Sequence, residues 1–97
     1  MGLADAGALA AIVSRHPVVE RVLCGHVHRS IQARFAGTIA SVAPSTAHQV
    51  SLDLRPGAAE SFKLEPPGYH LHWWRPDASL VTHLMTIGSF PGPFPFA

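Results

Sequence analysis

The hydrophobic period changes once along this chain, and nothing else restricts its fold as strongly. Up to Arg15 the apolar residues Leu9, Ile12 and Val13 recur at helical spacing with alanines between them. This predicts a helix over residues 3–15, with Asp5 in the first turn, where a negative charge suits the helix dipole. Pro17 ends it, because the residue before a proline is pushed out of the helical region. Beyond Pro17 every periodic stretch is extended. Residues 18–24 read as a strand apolar enough to be buried on both faces, stopped by Gly25. Residues 30–35 alternate Ile31, Ala33 and Phe35 against Ser30, Gln32 and Arg34, which is strand spacing. Ala36-Gly37 is a tight turn, and residues 38–42 return as the hairpin partner.

The second half continues in the same manner. Residues 43–47 form a loop by their proline and hydroxyl content, and residues 48–54 alternate with Val50, Leu52 and Leu54 on one side. A surface turn over 55–61 leads to an extended segment over 62–67, where Pro66-Pro67 favours polyproline geometry. Residues 69–74 and 80–87 form a last pair of strands around Arg75-Pro76-Asp77-Ala78. The Pro/Phe-rich tail, residues 88–97, cannot join a central strand because proline donates no hydrogen bond. It is expected to run over a surface, held by its phenylalanines. One leading helix–strand unit followed by antiparallel strands is α+β as an isolated piece. A lone unit of that kind ordinarily belongs to a larger alternating α/β sheet.

At 97 residues the chain is long enough for one small domain, residues 1–97. Its formal charge of +1, on scattered arginines and lysines, excludes binding to a nucleic-acid polymer through a basic stripe. A single cysteine, Cys24, excludes an internal disulfide and suits a reducing, cytoplasmic setting. No apolar run approaches the roughly 18 residues of a spanning helix, so no membrane partner is expected.

Chemistry concentrates at Val22-Leu23-Cys24-Gly25-His26-Val27-His28-Arg29. If the backbone stays extended, His26 and His28 point the same way and set two neutral nitrogen donors side by side at a strand end. Gly25 allows a sharp turn or a close approach. Imidazole suits zinc, iron, manganese or nickel. The bland alternative is a pair of exposed strand-end histidines.

Gly25-His26-Val27-His28 resembles the GHxH motif of the calcineurin-like metallophosphoesterases. The likeness extends to Arg15-His16-Pro17, to the hairpin over residues 31–42, and to the Ala43-Pro44-Ser45-Thr46 loop. It also takes in Glu65-Pro66-Pro67-Gly68-Tyr69 and the His/Trp strand after it. Over nearly the whole chain it is similar to the C-terminal third of the class III cyclic-nucleotide phosphodiesterases. That resemblance implies the C-terminal part of a double-sheet sandwich around a binuclear centre of manganese, iron or zinc. His26 and His28 would be metal ligands, one to each ion. Two such metals, about 3.5–4 Å apart, clamp a phosphodiester and lower the pKa of bound water, so that hydroxide is available for in-line attack. The implied substrates are phosphodiesters such as 3',5'-cyclic nucleotides.

The family's other ligand motifs are Asp-x-His, a Gly-Asp segment, Gly-Asn-His and a further lone histidine. This chain has no asparagine, and none of its three aspartates, Asp5, Asp53 and Asp77, is followed two residues later by histidine. The chain is therefore expected to be a C-terminal fragment, inactive alone. Its open strand edges would pair with other copies to give a homo-oligomer. The alternative from another class is a non-catalytic β-rich oligomerisation or binding module. Elsewhere the structural readings are preferred: His70-x-His72 as a packed or solvated strand face, His48 and His83 as surface or satisfied residues, Cys24 as a small buried apolar residue, and Arg29 as solvated. For His48, near the 44–46 loop, a supporting role at the metal site is the sharper alternative.

Overall fold

A computed structural model describes residues 3–97 as one short helix and seven strands in three small sheets. The helix α1, Ala6–Val13, is shorter than its periodicity suggests. Asp5 makes no side-chain bond to cap it, and its C-terminal end passes into tighter turns, with the Arg15 and His16 amides donating to the Ile12 and Val13 carbonyls. Val13 is the one buried apolar side chain among the described residues, at 9% exposure.

The first sheet has the order β1-β3-β2, built from β1 Val22–Cys24, β2 Ile31–Phe35 and β3 Thr38–Val42. β2 and β3 form the expected hairpin, pairing Ile31 with Val42 through Phe35 with Thr38. Ala36 (φ 49°) and Gly37 (φ 85°) both take positive φ. Two left-handed residues in a two-residue connection match the strands' own twist, which makes this the favoured hairpin turn. β1 runs parallel to β3, pairing Val22 with Ala40 and Cys24 with Val42.

Two expectations for this region are corrected. β1 spans three residues rather than 18–24, because a strand extends only as far as its ladder partner allows. It is also not buried on both faces: Leu23 is 51% exposed, and one edge of β1 lies open.

The second half holds two antiparallel pairs. β4 Gln49–Val50 pairs with β5 Phe62–Lys63, so only the ends of the anticipated 48–54 and 62–67 segments are strand. β6 Gly68–Arg75 and β7 Ser79–Thr86, eight residues each, form a hairpin in the expected place. Its turn has Pro76 at the position that favours a fixed φ, closed by the Ala78 amide on the Arg75 carbonyl at 3.0 Å, and Ser79 leaves it with φ 65°.

Gln49 is 6% exposed and ties the 43–47 loop to the segment before β6: its Nε2 donates to the Ser45 carbonyl at 2.7 Å and the Pro66 carbonyl at 3.4 Å, and its Oε1 accepts from the Ser45 amide at 2.9 Å. The tail is not held down as expected: Phe90 folds over Gly88, while Phe94 and Phe96 stand exposed.

Candidate metal centre

His26 and His28 lie on the connection between β1 and β2. That segment is not extended. His26 has φ 74° and His28 has φ 57°, whereas Gly25, expected to supply the sharp turn, does not take positive φ. The side-by-side strand geometry is therefore replaced by a loop with two left-handed histidines. Such a conformation costs an L-residue about 1–2 kcal/mol each, and it persists only where the surroundings enforce it.

At His28 the contacts come from β4. The Val50 amide donates to the His28 carbonyl at 2.8 Å. Arg29 Nη1 donates to the Val50 carbonyl at 2.8 Å and meets Glu65 Oε1 at 3.4 Å. One residue of β4 thus grips the loop from both sides of the His28–Arg29 peptide. Arg29, read from the sequence as solvated, is half-buried and structural.

His26 is exposed and His28 half-buried. The His28 ring lies 4.8 Å from that of His48, and His48 lies 4.9 Å from Phe62 of β5. This tilted row of rings brings His48 to the loop. The available signal was its place at the start of a strand, just after the hydroxyl-rich loop. The β4–β5 pair provides both the backbone grip and this ring contact.

Two of the aspartates are paired with arginines away from the loop. Asp53 accepts from the Arg55 side chain and amide, and these bonds hold its carboxyl below the ordinary carboxylate range. Asp77 meets Arg75 at 3.4 Å. Cys24 is exposed rather than buried, its Sγ 3.6 Å from the Ser41 carbonyl oxygen. Among the described residues no group of three or more His, Cys, Asp or Glu side chains could hold a metal ion. Two imidazoles on a constrained loop fit the donor chemistry of a transition metal. Two alone do not fit a complete binuclear centre. No helix among the described residues is long and apolar enough to cross a membrane.

What these residues form is a strand-end loop, with positive φ at both histidines, that presents two imidazoles one residue apart. No family model matches the chain. It is 42% identical over 88 residues to a probable glycerophosphodiester phosphodiesterase GpdQ of Arcobacter nitrofigilis, a match that takes in 91% of this chain and 32% of that protein. The chain spans about a third of the length of the curated relative it matches.

Proposed function

We propose that the chain is one part of a metal-dependent phosphodiesterase of the calcineurin-like metallophosphoesterase superfamily, in which His26 and His28 are metal ligands. The observation that carries this reading is the 42% identity, over 91% of the chain, to a probable glycerophosphodiester phosphodiesterase. The constrained Gly25–His28 loop agrees with it, since backbone strain concentrates at functional sites. Divalent ions in such a site lower the pKa of water and neutralise phosphoryl oxygens. This chain's own contribution is two imidazole donors, with His48 against His28 as a neighbour that orients the ring. Because the donor set is incomplete, the remaining ligands are assigned to polypeptide outside these residues, and the 97-residue chain alone is inactive. The relative's description favours a glycerophosphodiester as substrate, and the resemblance to class III enzymes extends the reading to 3',5'-cyclic nucleotides.

The test is hydrolysis of a chromogenic phosphodiester with added manganese. A longer polypeptide containing this segment should turn over, and its His26→Ala, His28→Ala double variant should lose at least about a hundredfold, the size of effect expected when a metal-activated nucleophile is lost. The isolated chain should not exceed its own double variant. Full activity in the longer double variant would sink the ligand assignment. Turnover by the isolated chain that the double substitution abolishes would sink the claim that further ligands are needed. A glycerophosphodiester and a cyclic nucleotide, compared in the same assay, separate the two substrate classes.

A further inference from the structure

His70 and His72 take no part in the metal-centre reading, yet they belong to the most connected polar cluster between the first sheet and the β6–β7 hairpin. One residue apart on β6, they share a face. His70 Nε2 lies 2.8 Å from Ser30 Oγ, just ahead of β2. His72 Nδ1 lies 2.8 Å from Oγ1 of Thr82, its cross-strand partner on β7. Arg21, just ahead of β1, reaches the same hydroxyl with Nη1 at 3.0 Å and the Leu80 carbonyl with Nη2 at 3.3 Å. Two sequence-distant contacts, Arg21 to Thr82 and Ser30 to His70, thus join the hairpin to the sheet.

The donors in this set restrict its protonation. A hydroxyl has one proton to give and two lone pairs to receive. The Thr82 oxygen already accepts from a guanidinium, which is always charged. Its own proton is then available to His72 Nδ1, a pairing that suits a neutral ring with its hydrogen on Nε2. A protonated His72 would turn a second cationic N–H toward an oxygen that already serves Arg21. The His70 ring stands 5.8 Å from the His72 ring, edge to face, and its Nδ1 is buried without a partner. The groups facing His70 are Ser30, from the loop just ahead of β2, and His72 from its own strand, with Arg21 behind Thr82. Arg29, next to Ser30, is turned to Val50 and Glu65. No carboxylate takes part in the hydrogen bonds of the seam.

We propose that this seam is a pH-sensitive latch. With both imidazoles neutral it ties the β6–β7 hairpin to the first sheet and, through Ser30, to the loop that carries His26 and His28. Acid opens it by placing cations against one another and against Arg21. Burial first, and then the charge of His72, hold the His70 pKa below its ordinary value of 6.5. The closed state therefore binds fewer protons than the open one. The latch is at full strength above about pH 6.5 and weakens as pH falls from there through the lowered His70 value.

Nuclear magnetic resonance on the histidine-labelled chain tests this directly, from about pH 8 to about pH 5. At the alkaline end His72 should carry its proton on Nε2, and cross-peaks should connect the Thr82 methyl to Arg21 and His70 to Ser30. Those cross-peaks should be lost together as His70 titrates, below the ordinary histidine midpoint. A His70→Gln, His72→Gln double variant keeps neutral hydrogen-bonding side chains and should retain the Thr82–Arg21 contact throughout. The latch is overturned if the wild-type contacts survive with both rings protonated, or if His72 carries its proton on Nδ1 at the alkaline end. It is equally overturned if the double variant opens over the same range. Should that variant misfold, the wild-type tautomer and the coupling of its cross-peaks to the His70 titration decide the matter alone.

Discussion

At the scale of single residues, His26 and His28 hold positive φ beside a glycine that does not. Gly25, His26 and His28 stand out because glycine and closely spaced imidazoles after an apolar run are unusual. Nothing in those letters says that the histidines, rather than the glycine, take the left-handed conformation. At His28 that outcome is supported by Val50, on a strand more than twenty residues away, and by the Arg29 side chain bonded to it. Two opposite mutational outcomes follow. Gly25 has no positive φ, and a Cβ built there meets nothing within 4 Å. Gly25→Ala should therefore leave stability within about 0.5 kcal/mol of wild type in a denaturant titration. His26→Gly should raise it. Relief of left-handed strain, about 1–2 kcal/mol, exceeds the entropic penalty of glycine, about 0.5–1 kcal/mol, and leaves a net gain of roughly 0.5–1 kcal/mol. A gain in stability, together with weaker manganese binding in the longer polypeptide, would mark His26 as a residue held in strain for its ligand role. A loss of stability would show that the loop relies on the imidazole itself.

At the scale of elements, the two long hairpins were legible because alternation and turn residues agreed. β2 and β3 carry opposed alternating faces around Ala36-Gly37, and β6 and β7 flank Pro76-Asp77. Where pairing depends on a distant partner, alternation overstated the strands. Leu52 and Leu54 continue the pattern of Val50, but the β4–β5 ladder covers only Gln49–Val50, and both leucines are exposed. Local pattern reports which face a residue would take; it carries no information on whether a neighbouring strand is there.

The turn and the close approach in these hairpins can be tested separately. Ala36 pays for its positive φ with a Cβ, and asparagine tolerates that conformation better, so Ala36→Asn should stabilise the chain by about 0.5–1 kcal/mol, seen as a higher urea midpoint with an unchanged slope. Gly68 opens β6, and a Cβ there would lie 2.8 Å from the Met85 carbonyl oxygen on β7. Gly68→Ala must displace backbone and should cost about 1–3 kcal/mol. Unchanged stability would show that the hairpin opens at that end without penalty.

At the scale of the whole molecule, surface and core are out of proportion. The accessible surface is 7688 Å², while a compact monomer of 10.4 kDa exposes about 5,400 Å². The radius of gyration is 16.4 Å, against about 13 Å for a compact domain of this length. The apolar residues left open include Leu23 on β1, with its free edge, and Tyr69, Leu71 and Trp73 along one face of β6. Composition announced plentiful apolar residues, but not that the chain's own elements would leave them uncovered, since burial depends on what packs against each face. An exposed strand edge beside a large apolar surface favours association, because new ladder bonds form while apolar area leaves water. The isolated chain should therefore scatter light as a multiple of 10.4 kDa at micromolar concentration, and it should enhance the fluorescence of a hydrophobic dye. Leu23→Lys should shift it toward monomer, since a charge on an edge strand opposes pairing. The same substitution in the longer polypeptide, where other elements would cover β1, should instead lower stability by about 2 kcal/mol or more, because a charge would then be buried without a partner. A dispersed, dye-silent monomer of the isolated chain would mean that these faces close on one another in solution, and that the excess surface does not call for a partner.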